Sequence, residues 1–393
     1  MKITSFELFE VKAGWRPWFF LKVVTDEGIV GWSDCTDAHG SNAGVAASIR
    51  ELGESLIGRD PMPLELVFQD LYRITRQSSG GVVQKAIAAI ENALLDIKAK
   101  ALGVPVCVLL GGPVRERVRL YWSHCGSTRI RHHSLLGAGA RPVRSLADIE
   151  ILAHEVRERG FSGAKTNLIL FPEGRDPLII GQGFGGGEGS YDRNLSGETL
   201  TGIRRLMEIF RKGLGPDADL ILDANMHFRA DGMVRMARAL SEYGLAWLEV
   251  DMDDPAQLRA LRGRAPMPIG SCEKRQLMSG YKPFLDAGAM DVAIIDVRWT
   301  GVWQAKKIAD LAACYDVNIA PHNHGSPLAT LMAAHFCAAA TNLRIMEYDV
   351  DDVPWRDSLL TEPMRIEQGH LLMPDAPGWG ADVDESALRA RTA

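Results

Sequence analysis

The chain has no pair of cysteines spaced C-x-x-C, and its six cysteines (Cys35, Cys107, Cys125, Cys272, Cys314 and Cys337) follow no regular interval. That argues against a disulfide framework or a thiolate zinc site and fits a reduced, cytoplasmic interior. No apolar run approaches the roughly 18 residues of a membrane helix, and the opening MKITSFELFEVKAG lacks the apolar stretch of a secretory leader. Basic tracts interleaved with aromatics are missing too. The 44 Lys and Arg stand against 50 Asp and Glu, a net charge of −6, so nucleic acid is not the expected partner. Low complexity is confined to GQGFGGGEG at 181–189. What remains is 393 residues, 46% of them hydrophobic, enough for a substantial core. Length alone permits two or three domains, or one α/β barrel that takes up most of the chain.

From about residue 119, short apolar runs alternate with amphipathic stretches. RLYWSHC (119–125), GAKTNL (163–168), LILDAN (220–225), LAWLEV (245–250), MPIGSCE (267–273), MDVAIIDV (290–297), VNIAPHN (317–323) and LRIMEYD (343–349) read as strands. Between them, segments such as ADGMVRMARALSEYG and QAKKIADLAACY repeat apolar residues at three and four, as helices do. Eight strands alternating with helices predict a (β/α) barrel. Asp223, Glu249, Glu273, Asp296, His322 and Glu347 each close a run, spaced 23 to 26 residues apart, and Lys165 closes the second run likewise. A single acidic residue at a strand end is commonly a cap. Six in one phase predict a ring of ionisable groups at the C-terminal rim, where this fold builds its active sites.

Asp223, Glu249 and Glu273 on successive strands form an all-oxygen set suited to a hard cation, one Mg²⁺. Zinc would recruit histidine or thiolate, and Cys272 should point away from the face of Glu273. Asn225, two residues beyond Asp223, should share its side and touch substrate or a metal-bound water. Asp296 and His322 on neighbouring strands suit a general-base dyad, the carboxylate fixing the imidazole tautomer. Lys165 can act as acid, base or electrostatic clamp. Glu347 can donate a proton to a substrate carboxylate if burial keeps it protonated. A metal facing a base suits abstraction of a proton next to a carboxylate. In APHNHGSP (320–327), His322 is in phase with the strand ends and is taken as the base. His324 lies higher on the loop, touching substrate or packed against protein. The consecutive His-Asn-His is not a nuclease motif, whose members are spread over a longer unit, and His335 reads as core.

With this ring in place the chain resembles the enolase superfamily, in its mandelate racemase-like subgroup. TDEGIVGWSD resembles the end of that family's N-terminal meander, and AIAAIENALLDIKAKALGVPVCVLLGG (86–112) the stretch joining cap to barrel. APGWGADVDESAL (376–388) resembles the tail that returns to the cap. The resemblance implies an α+β capping domain over 1–118, a modified barrel over 119–355 and a returning tail over 356–393. It further implies Asp223, Glu249 and Glu273 as metal ligands, Asp296–His322 as dyad and Glu347 as the electrophilic glutamate. Homo-oligomers are usual in the family.

Three departures stand out. The family's Lys-x-Lys reads Lys165-Thr166-Asn167, which weakens a racemase reading and resembles acid-sugar dehydratases such as galactonate dehydratase. Asn225 stands where those enzymes carry a histidine, and His227 is a weak substitute. LEVDMDDP lacks the usual Glu-Glu-Pro, and 171–200 is largely extra loop. Gly181-x-Gly183-x-x-Gly186 in that loop does not follow a strand and open a helix, so NAD binding is rejected. A glycine-flexible lid and a plain surface loop are both open readings. AGWRPWFF (13–20) reads as a loop that can bring Arg16 over the barrel mouth, or as a meander turn. Trp32, Arg298 and Trp299 read as packing residues, and RIRHHS (129–134) as a solvated basic loop. The resemblance, rather than spacing, implies Mg²⁺-dependent dehydration of a sugar acid to a 2-keto-3-deoxy acid, with His322 or Lys165 taking the proton and Asn167 at the substrate. The alternatives are a racemase, epimerase or cycloisomerase using the same half-reaction, and a metal-retaining binding protein without activity.

Overall fold

Alternating burial builds the first sheet. Strands β1 (Ile3–Ala13), β2 (Arg16–Thr25) and β3 (Val30–Asp34) form an antiparallel meander in the computed structural model, which describes residues 1–37, 40–180 and 193–392. Of the two readings of 13–20, the meander turn is the one observed, as a tight hairpin. Ala13 pairs with Arg16, and Gly14 takes the positive φ of 70° that the turn requires. Period two then runs straight through it, burying Arg16, Trp18 and Phe20 on one face.

Helices α1 (Asn42–Glu54) and α3 (Gly81–Ala101) pack on the meander, and α2 (Leu64–Ile74) packs on α3. From Ala86 to Ile97 every α3 residue is buried, polar ones included, because partners lie on both sides. Toward the meander, Asp96 accepts the Trp32 N–H at 2.9 Å. Toward the barrel, Asn92 donates to the Val297 carbonyl at 3.0 Å and accepts the Val302 N–H at 2.7 Å.

The barrel strands, first to eighth, are Arg117–Trp122, Gly163–Asn167, Asp219–Asn225, Leu245–Val250, Ile269–Ser271, Val292–Ile295, Asn318–Pro321 and Met346–Tyr348. The first seven are parallel neighbours in chain order. A bridge from Ile319 to Leu343 leads to the eighth, which pairs with the first, Met346 opposite Leu120, and closes the ring. Tyr121, Ile221, Trp247, Val292 and Ile294 help fill the interior, and in this fold chemistry is built at a rim. The expected α/β class, a capped (β/α) barrel, is the fold observed.

Past the barrel, the hairpin of Ile366–Glu367 and His370–Leu372 pairs antiparallel with the start of the first strand. Buried Trp379 then reaches back to the cap, its indole N–H on the Trp32 carbonyl at 2.8 Å. The loop after the second strand begins with a short hairpin, Ile169–Leu170 against Leu178–Ile179, and the next helix starts at Gly197 with Ser196 as its cap. The Gly181–Gly186 pattern lies outside the described residues. Arg129 corrects the solvated-loop expectation: it is 3% exposed and paired with Asp351 at 2.9 Å and Glu155 at 2.6 Å. Among the described residues no helix is long and apolar enough to cross a membrane.

Candidate active site

Parallel register sets the acidic side of the rim. Asn167 lies opposite Asp223, and Asp223 opposite Glu249, so three strands deliver polar side chains at one level. The fifth strand stops at Ser271; Cys272 takes φ 83° and packs into the core, and Glu273 follows at the rim. Lys165 sits among these carboxylates, 2% exposed, with Nζ 3.0 Å from Glu249 Oε1, 2.8 Å from Glu347 Oε1 and 3.9 Å from Asp223 Oδ2. The Trp247 indole, two residues before Glu249 on the same strand face, donates to Glu249 Oε2 at 2.9 Å.

Burial, then the neighbouring Glu249, pushes the Asp223 carboxyl up to about 7. Burial, with Asp251 and Glu249 opposing His322, pushes Glu273 up to about 8. Acids destabilised as anions by burial and by one another are relieved by a cation among them. The donor set is oxygen only, so these residues fit Mg²⁺.

Across the rim, the His322 Nδ1–H donates to Asp296 Oδ2 at 2.7 Å. Arg298, expected as packing, is a buried clamp on that aspartate: its backbone N–H and Nε reach Oδ1 at 2.8 and 3.1 Å, and Nη2 reaches Oδ2 at 2.5 Å. Burial raises the Asp296 carboxyl, but Arg298 and His322 outweigh it and hold it well below the usual carboxylate range. Burial likewise opposes the His322 cation, yet Glu273, Glu347 and Asp296 lift its pKa to about 9. His322 Nε2 is 3.5 Å from Glu273 Oε1 and 4.0 Å from Glu347 Oε2.

Each residue of the His-Asn-His run finds its own carboxylate. His322 takes Asp296, the Asn323 N–H donates to Glu347 Oε2 at 2.8 Å, and the His324 Nδ1–H donates to Asp349 Oδ2 at 2.5 Å. One expectation about charge is corrected here. Burial favours a neutral Glu347, but Lys165, His322 and His124 outweigh it and hold it ionised, so at rest it has no proton to donate. Burial likewise disfavours the Lys165 cation, but Glu249 and Glu347 outweigh it and hold its pKa well above the usual lysine range, the direction that favours the electrostatic clamp among its three expected roles.

Asn225 is also not where alternation put it. A bulge after Asp223 and a φ of 48° turn it outward, exposed, with its side-chain oxygen on the Met226 N–H at 2.9 Å. Asn167 stays buried on the rim, its carbonyl accepting from the Ser127 hydroxyl at 2.6 Å. Arg16 reaches the rim from the cap, its Nη2 2.9 Å from Asp352 Oδ2 and 3.5 Å from Asp349 Oδ2, while its Nε and Nη1 are buried with no hydrogen-bond partner among the described residues. The sequence reading missed Ser123, His124, Asn323 and Asp349. For Asp349 a signal existed: it follows Glu347 by two, as His324 follows His322, and so shares its side.

Residues 149–387 match the enolase C-terminal domain-like family, and residues 13–111 the mandelate racemase / muconate lactonizing enzyme N-terminal domain. The chain belongs to the enolase superfamily, in its mandelate racemase-like branch. It is an enzyme of that branch. A superfamily structure from Burkholderia xenovorans strain LB400, provisionally named an L-alanine-DL-glutamate epimerase, is 42% identical, with a TM-score of 0.95 over 100% of this chain and 98% of that one. The same protein has been solved with magnesium and fumarate. A D-galactonate dehydratase family member from Streptomyces bingchenggensis is 31% identical over 96% of this chain and 90% of its own length. The D-galactarolactone cycloisomerase of Agrobacterium fabrum is 29% identical over 98% and 94%.

Proposed function

We propose that this enzyme dehydrates a sugar acid, an aldonate or aldarate, to a 2-keto-3-deoxy acid by removing the proton α to the carboxylate. The observation that carries the reading is the clamped Asp296–His322 dyad facing three carboxylates, with Lys165 held cationic among them. Asp223, Glu249 and Glu273 would hold Mg²⁺. Bound there, the ion would supply positive charge as negative charge develops on the substrate carboxylate, and would take up the Glu273 charge that otherwise favours protonated His322.

His322 Nε2 is the base, its tautomer set by Nδ1–H on Asp296. Lys165 is a fixed cation for the substrate carboxylate, and ionised Glu347 holds it in place. Arg16, with two buried nitrogens that find no hydrogen-bond partner among the described residues, meets the distal hydroxyls or carboxylate, because such donors are costly to leave unmade. Asn167 replaces the lysine that a second base on that face would need, which supports elimination over racemisation. The runner-up is an epimerase or cycloisomerase by the same half-reaction, which the Burkholderia and Agrobacterium relatives keep in view.

A panel of aldonates and aldarates with Mg²⁺, scored for 2-keto product by semicarbazide trapping, tests the proposal. Keto product from at least one acid is expected. Isomerised acid without keto product would move the assignment to the runner-up, and no turnover across the panel would overturn both.

A further inference from the structure

Dehydration needs two proton transfers, one off carbon and one onto the departing hydroxyl. His322 accounts for the first. On the other side of the Glu347 carboxylate stands a second imidazole in a similar arrangement. The His124 Nδ1–H donates to Asp349 Oδ1 at 2.9 Å, as His322 does to Asp296 at 2.7 Å. It also lies 3.1 Å from the Ser123 Oγ, whose hydroxyl donates to Glu347 Oε1. Glu347 therefore stands between two histidine–aspartate pairs, with Oε1 linked through Ser123 to His124 and Oε2 4.0 Å from His322 Nε2.

Three further observations point to a working position. His124 holds φ 48° just beyond the first barrel strand, in the left-handed region that non-glycine residues rarely adopt. Its side chain keeps 16% exposure, against 9% for His322 and 10% for His324. Beside it, Arg16 is 3.5 Å from Asp349 Oδ2 and has two buried N–H groups that call for a ligand oxygen.

Among the described residues, His124, His324 and Asp349 also form a group of potential metal ligands, their ligand atoms within 4.8 Å of one another. Their 2.9 and 2.5 Å nitrogen–oxygen separations are hydrogen-bond lengths. Two ligands at about 2.0–2.1 Å from one ion would stand roughly 3 Å or more apart. At these separations each imidazole Nδ1–H donates a hydrogen bond to Asp349.

The geometry points to His124 as the acid that protonates the hydroxyl leaving carbon 3, an inference that rests on the dehydratase reading. His322 Nε2 takes the C2 proton, and the C–H electron pair forms an enediolate. As the C2–C3 double bond forms, the C3–O bond breaks, its electron pair takes the proton from His124 Nε2–H, and water departs. The resulting enol takes a proton at C3 from solvent, gives up its O–H proton to solvent, and becomes the 2-keto-3-deoxy acid. His322 is left protonated and His124 neutral, and exchange with solvent resets both.

The test compares wild type with His124→Asn, full-length and with Mg²⁺, on an acid the wild type converts. Keto product should fall by ~10²-fold or more, while α-proton exchange into D₂O stays within about threefold, which also certifies the fold. On the 3-deoxy-3-fluoro analogue, fluoride leaves without a proton, so the variant should match the wild-type elimination rate within about threefold. A merely structural role would slow both leaving groups alike. A His124→Asn rate on the hydroxyl substrate close to wild type, or equal loss on both leaving groups at an unchanged unfolding temperature, would overturn the inference. Should His124→Asn unfold, His124→Gln is read by the same ratio. Wild type that forms no keto acid from any acid sugar ends the dehydratase reading and this inference together, whereas a working dehydratase indifferent to His124 ends the inference alone.

Discussion

Asn323 gives the histidine pair its meaning. Its backbone and side-chain N–H groups bind the carboxylate and carbonyl of Glu347 at 2.8 and 3.2 Å, tying the seventh strand's end to the eighth. His322 and His324 are thereby held toward different aspartates. Charge states in this cluster are set by partners from other strands, which is how Glu347 differs from the sequence expectation. His335 is a simpler case, a fully buried imidazole whose Nδ1 accepts the Cys107 N–H at 3.2 Å. Burial lowers its pKa from 6.5 to about 4. The unfolded chain therefore binds the extra proton first as pH falls below 6.5, and the stability His335 gives at neutral pH is lost toward pH 4. Between pH 7 and 5 that loss is on the order of 2 kcal/mol. Denaturant unfolding at the two pH values should show His335→Gln losing less stability on acidification than wild type by about that amount. An identical acid loss would contradict it.

The fifth barrel strand shows how an element sets a ligand. Gly270 lies opposite Glu249, and a Cβ there would come within 2.5 Å of the Trp247 ring. The glycine leaves room for the indole that donates to Glu249. Gly270→Ala should therefore force Trp247 aside, lowering stability by about 1–3 kcal/mol and weakening Mg²⁺ binding together. Calorimetric titration with Mg²⁺ alongside thermal unfolding checks both, and wild-type values in each would refute the coupling. Helix α3 works at longer range. Asn92 and Glu91 accept N–H groups of Val302 and Trp303 at 2.7 and 3.1 Å, docking the cap on the segment that follows Asp296 and Arg298.

At the scale of the molecule, the barrel was legible because its eight apolar runs and their ionisable ends keep one phase, and a period survives without knowledge of tertiary partners. The residues that form the ring were legible for the same reason. What escaped depended on distant pairing. Arg129 looks solvated until Asp351, 222 residues away, neutralises it. Arg298 looks like packing until Asp296 is seen to need a counter-charge, and Asn225 obeys alternation until a bulge turns it out. In the 13–20 segment Gly14 and Pro17 left loop and meander turn both open, although the period two of Arg16, Trp18 and Phe20 favoured the turn. The cap, barrel and returning tail bring Arg16, His124, His322 and Lys165 from widely separated places in the chain to one rim. The central claim is that His322 removes the proton α to a carboxylate. Proton NMR of α-proton exchange in D₂O, with Mg²⁺ and the preferred acid, tests it most directly in wild type and His322→Asn. Exchange in wild type and its loss in the variant, with Mg²⁺ binding retained, is the predicted result; undiminished exchange in the variant would contradict it.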